Sequence, residues 1–185
     1  MSYDFHLFKP RAGEDPLVTA RRGSRLDQNT PLNPKREAMK RKTADALVAH
    51  DPNLEIFQMD YEKIASFQKI TVEQARLKFR HLELNGPEDD ESGIQITLFD
   101  DEAAVAVPFW HEGKQAEESF RQIWNYLKII HQETGFLVYD PQIDRVIDPA
   151  SGYETALNCY TGVVRNFEKI LPPAAKSEKP FWKLW

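Results

Sequence analysis

Two residues with side chains able to do chemistry, His81 and Glu83, stand two positions apart in the segment RHLELN. On an extended strand they project from the same face, because successive side chains alternate. An imidazole beside a carboxylate can relay a proton or contribute to a divalent-metal site. Gln95 and Thr97 repeat this phase in the next strand-like segment, and His111 follows a third. HExxH and CxxC spacings are absent, so the pair lacks a diagnostic third ligand. A polar, hydrogen-bonded sheet face is the plainer reading of the same residues.

A second candidate is YDPQIDR, where Asp140, Gln142, Asp144 and Arg145 could recognise a polar ligand. Asp140 and Pro141 suit a turn, since aspartate bonds to the backbone two residues on and proline restricts φ. The alternating oxygen ligands and closing glutamate of a calcium loop are missing. The third candidate is the terminal KPFWKLW, in which Phe181, Trp182 and Trp185 are large apolar residues able to dock on protein or touch an anionic membrane. Cys159 falls inside a helical pattern and reads as a packing residue.

The elements that must position these residues begin with a central meander. Leu82 and Leu84, then Ile94, Ile96 and Leu98, then Val105 and Val107 each alternate with other residues, predicting three successive strands with these side chains on the core face. The face with His81, Glu83, Gln95 and Thr97 is expected to remain partly wet. Tyr3, Phe5 and Leu7 predict an N-terminal strand, and further strands are expected around Leu54–Met59, Phe136–Tyr139 and Arg145–Ile147. Asn33 before Pro34 predicts a helix running to about His50, with Ala38, Met39, Ala46 and Leu47 inward. Thr71 and Gln74 have capping-box spacing for a helix to about Arg80, after a short helix at Tyr61–Phe67. Ala116, Phe120, Ile123, Trp124, Leu127 and Ile130 predict the longest helix, over Gly113–Glu133. Ser151 and Glu154 repeat the capping-box spacing before a last helix.

These signals predict an α+β fold, with an antiparallel or mixed sheet, a central β-meander and helices mainly on one face. Residues 1–171 are expected to form a single domain with a basic, loop-rich insertion near 11–35, followed by an aromatic and basic tail at 172–185. A chain of 185 residues can bury a sizeable core, and 41% hydrophobic with 29% charged residues is ordinary globular composition. The formal charge is −5. Lys9–Lys42 departs from this balance, with ten basic against four acidic residues, and reads either as an arm for phosphate or an acidic partner or as a solvated insertion. Aromatic residues do not interleave that run, so nucleic acid is not an expected partner. Glu88–Glu91 and Asp100–Glu102 form acidic clusters without basic neighbours in sequence and could meet a basic protein or keep a hairpin soluble. The start lacks a signal-peptide pattern and no stretch is apolar for the 18–20 or so residues a span requires, giving a cytoplasmic expectation.

The segments MSYD, GIQITLFDD, VPFWH and YDPQ resemble those of a group of small uncharacterised bacterial α+β proteins. The resemblance implies a bacterial, cytoplasmic α+β protein and carries no activity or catalytic residues onto these positions. The expected function is a non-enzymatic protein-binding module, acting on a protein partner or a second copy, with transient membrane contact through the tail as a further option. The alternative is a small-molecule or metal-assisted hydrolase using the His/Glu cluster. No cofactor is expected.

Overall fold

A computed structural model describes residues 2–23, 31–86 and 93–170. Among the described residues, seven strands form one sheet in the order β2-β3-β4-β5-β1-β6-β7. They are β1 (Ser2–Phe8), β2 (Glu55–Ile56), β3 (Leu82–Asn85), β4 (Gln95–Leu98), β5 (Glu102–Pro108), β6 (Leu137–Asp140) and β7 (Arg145–Ile147). Every strand pairing is antiparallel, so the sheet is α+β in its purely antiparallel form. The N-terminal strand lies in its interior, between β5 and β6.

Register assigns the two faces. Leu84, Ile96, Val105 and Phe5 are consecutive cross-strand partners and all are buried. Three helices contribute to the same core: α2 (Pro34–His50) through Ala44 and Leu47, α5 (Gly113–Thr134) through Phe120, Ile123, Trp124 and Leu127, and α6 (Tyr153–Ile170) through Ala156 and Tyr160. Phe120 stacks with Trp124 at 5.9 Å and with Tyr160 at 5.2 Å, while Phe5 packs against both Phe120 and Trp124. Asp51, the residue after α2, accepts hydrogen bonds from Tyr126 Oη at 2.5 Å and Gln122 Nε2 at 2.7 Å. These bonds tie α2 to α5.

The cap signals explain several boundaries. Asn33 accepts from the amides of Lys35 and Arg36, with Pro34 in the first turn. Thr71 and Gln74 form both halves of the capping box at the start of α4 (Val72–Lys78), which follows α3 (Tyr61–Gln68). The Ser151–Glu154 box does not form as expected. Ser151 donates to Asp148 Oδ2 at 2.9 Å, and the helix begins at Tyr153 beyond Gly152. Gly152 is dictated by space, since a Cβ there would sit 2.0 Å from Ile147 Cγ2.

Two further expectations need correction. The loop-rich stretch 11–35 contains a helix, α1 (Pro16–Arg22), whose start is capped by the Asp15 side chain on the amides of Leu17 and Val18. The inward face of α2 also differs, because Ala38 is exposed while Lys40 is buried. Lys40 Nζ donates to Asp100 Oδ1 at 2.9 Å and the Arg80 carbonyl at 2.8 Å, both distant in sequence, and forms an ion pair with Glu37 Oε1 at 2.7 Å one turn away. Together these partners make burial of the ammonium group tolerable.

Candidate functional site: the open half of the second sheet face

Glu83, Thr97, Ala104, His6, Tyr139 and Val146 are successive cross-strand partners and form one row on the face opposite the core. Asn85, Gln95, Ala106 and Asp4 form the next row. At the β6–β7 end this face is covered. Tyr139 is buried, and α1 contacts both strands there. Arg21 of α1 holds Asp144 with a two-pronged contact, Nε to Oδ1 at 2.9 Å and its terminal nitrogen to Oδ2, and Tyr139 Oη donates to the same Oδ1 at 2.8 Å. The guanidinium and then the phenol hold the Asp144 carboxyl down at about 2.

The β3–β4–β5–β1 part is more open. Gln95 and His6 are exposed, and Glu83, Thr97, Ala104, Ala106 and Asp4 are half-buried. Ala104 and Ala106 in the middle make a low floor between longer side chains, because methyl groups cannot fill the space above the sheet. At the outer edge, the Phe57 amide donates to the Glu83 carbonyl at 2.8 Å, which continues the pairing of β2 and gives Phe57 the phase of Glu83. Phe57 is 55% exposed. Glu55, Glu83, Glu102 and Asp4 share this face by register, so its charge is acidic.

Four of the residues expected from sequence meet here in part. His81 Nε2 lies 3.0 Å from Glu83 Oε1, and Thr97 is the direct partner of Glu83. Gln95 pairs with Asn85, at the far end of β3 from His81. The His81 ring also packs on Phe99 at 5.3 Å. Neither His111 nor Asp140 joins them. His81 precedes the row Leu82–Leu98–Ala103, whereas His111 follows Pro108, and Pro108 itself already stands five residues, about 17 Å, further along β5 than that row. β6, which carries Asp140, is four strand spacings from β3, roughly 19 Å. Among the described residues, no group of three or more His, Cys, Asp or Glu side chains could hold a metal ion.

No family model, curated protein or solved structure matches this chain.

The YDPQIDR residues separate into different environments. Asp140 is fully buried on the core side and accepts from Tyr3 Oη at 2.6 Å and the Gln142 amide at 2.9 Å. Burial raises its carboxyl above the ordinary value, and the Tyr3 and backbone hydrogen bonds offset only part of that effect. With the Gln142 amide turned so that nitrogen faces its two acceptors, it donates to the Asp4 carbonyl at 3.1 Å and to Asp140 Oδ1 at 2.8 Å. Asp140 and Gln142 thus fasten the β6–β7 turn to β1. Asp144 sits in the same turn at φ 53°, a left-handed conformation that aspartate tolerates, and is engaged by α1; Arg145 is exposed.

Asp100 and Asp101 of the acidic turn are neutralised internally. Asp100 bonds Lys40 and also Arg80 at 2.6 Å, and Asp101 pairs with Arg36 at 2.6 Å and Lys9 at 3.6 Å. Burial opposes ionisation of Asp100, yet the combined bonds and charges of Lys40 and Arg80 outweigh it and lower its carboxyl pKa. Sequence proximity gave no sign of these partners. Glu88–Glu91, Phe181, Trp182 and Trp185 lie outside the described residues. Within the described residues no helix is long and apolar enough to cross a membrane.

Proposed function

We propose that this chain is a non-enzymatic protein-binding module that presents the open half-sheet to a basic protein partner. The observation carrying this reading is the combination on one face of a low alanine floor, four acidic residues and an exposed aromatic at the rim. Aromatic anchors beside shallow pockets supply much of the energy at protein interfaces, and complementary charge speeds encounter and fixes orientation. The separation of the His81–Glu83 pair from His111 and Asp140 supports binding over the hydrolase alternative, because general acid–base chemistry requires groups within hydrogen-bond reach of one reacting centre. A bacterial, cytoplasmic setting belongs to this reading and rests on the resemblance of its sequence segments.

The test is recovery from native-host lysate of a stoichiometric partner on the wild-type chain, compared with Ala104→Arg and Phe57→Ala. Both substitutions sit on the face and leave the core residues in place. The reading expects a basic partner, lost with Ala104→Arg, weakened with Phe57→Ala and weakened by added salt. Equal recovery on all three chains, or no partner on any, contradicts it.

A further inference from the structure

A different part of the second face carries an inference beyond protein binding. Phe8, Lys9, Pro10, Arg11, Thr19, Arg22, Gly23 and Asp101 surround a concavity of about 470 Å³ between α1, the end of β1 and the β4–β5 turn. That volume falls within the range of small-molecule sites. The basic excess of Lys9–Lys42 is partly gathered here, from two sides of one hollow. Arg22 pairs with Glu14 at 2.5 Å, Lys9 with Asp101 at 3.6 Å, and Arg36 with the other Asp101 oxygen at 2.6 Å. Arg11 is exposed and lies within electrostatic reach of Glu14. The lining itself therefore carries three cations (Lys9, Arg11 and Arg22) against one carboxylate (Asp101), an excess of two positive charges in a chain of net charge −5.

We propose that this concavity binds a phosphoryl dianion, either free or carried on a small organic molecule, through Lys9, Arg11 and Arg22. The charge excess matches the dianion. Guanidinium groups present parallel N–H donors that fit phosphate oxygens in pairs, and an ammonium adds a compact charge. The exposed ends of Lys9, Arg11 and Arg22 can turn toward a ligand without disturbing the core. Phe8 and Pro10 give the hollow an apolar wall, which a phosphomonoester with an organic body would cover and inorganic phosphate would not.

The experiment uses the full ¹⁵N-labelled chain at pH 7.5 and constant ionic strength, titrated separately with inorganic phosphate, phenyl phosphate and chloride. The expected result is saturable shifts of the Lys9, Arg11, Thr19, Arg22 and Gly23 amides with one or both phosphate probes and none with chloride. Tighter binding of phenyl phosphate identifies a carried phosphoryl group, and tighter binding of inorganic phosphate identifies the free ion. Arg11→Gln, at an exposed position, is expected to weaken binding about tenfold while leaving the remaining spectrum unchanged. Linear, non-saturating shifts with both phosphates, or unchanged affinity in the folded Arg11→Gln chain, overturn the proposal.

Discussion

Replacing Lys40 with methionine tests whether the buried charge network joins α2 to the sheet as described. The Lys40 side chain is 1% exposed and the Asp100 side chain 13%. The substitution keeps most of the aliphatic volume but removes the hydrogen bonds to Asp100 and the Arg80 carbonyl and the ion pair with Glu37. Breaking a buried ion pair by deleting one partner costs about 3–5 kcal/mol, because the surviving charge stays desolvated. Asp100 keeps Arg80 at 2.6 Å, so the lower end, about 3 kcal/mol, is expected. For a domain of this size that corresponds to a fall in Tm of roughly 6–12 °C. Urea unfolding of wild type, Lys40→Met, Asp100→Asn and the double variant supplies the full cycle. The double variant should be less destabilised than the sum of the singles by about 1 kcal/mol or more, since the two residues touch. The folded Asp100 carboxyl lies below its ordinary value of 3.8, so its stabilising contribution is present above that pH and is lost as pH falls through the lower folded value. The penalty of Lys40→Met should therefore shrink in acid below pH 3.8. A penalty under about 1 kcal/mol at pH 7, or strict additivity in the cycle, would mean that this network does not join α2 to the sheet.

Other expectations follow from single contacts. Asp144→Asn keeps a residue that tolerates φ 53° but removes the charge facing Arg21, so amide exchange should speed up in α1 while the core helices keep their protection. In the wild type the same loosening should appear as pH falls from 3.8 toward about 2, because the folded carboxyl is depressed and its contribution is lost on protonation. Tyr3→Phe deprives buried Asp140 of its phenol donor and should cost about 1.5–3 kcal/mol at pH 7 by urea unfolding. Asp140 has a raised folded value, so its favourable contribution is complete below 3.8 and is lost as pH rises through that value; the Tyr3→Phe penalty should accordingly be smaller in acid. Gly152→Ala forces a Cβ against Ile147 Cγ2 and should destabilise by about 1–3 kcal/mol in the same assay.

Local signals carried much of the fold. Tyr3, Phe5 and Leu7 alternate with residues of the opposite face, and Leu84, Ile96 and Val105 do the same, so strands and core side were readable without knowing the strand order. The caps at Asn33 and Thr71 were equally direct. The helix Pro16–Arg22 is signalled only by Asp15–Pro16, a cap followed by proline at the first turn; its seven residues are too few for periodicity to register. Lys40 was unreadable as a buried residue because Asp100 and the Arg80 carbonyl approach it from 60 and 40 positions away. The candidate site was half legible for a related reason. Alternation put His81, Glu83 and Thr97 on one face, but only the strand order shows that His111 and Asp140 stand apart from them. Which part of that face α1 covers depends on the long-range contact of Arg21 with Asp144.

The claim that the open half-sheet is the binding surface is tested most directly by photocrosslinking in the native host. A crosslinking residue is placed either at Thr97, on the open face, or at Lys128, exposed on α5 beyond the opposite face. A discrete adduct with a basic protein is expected from position 97 and none from position 128. An adduct from position 128 alone, the same adduct from both positions, or no adduct from position 97 would contradict the claim.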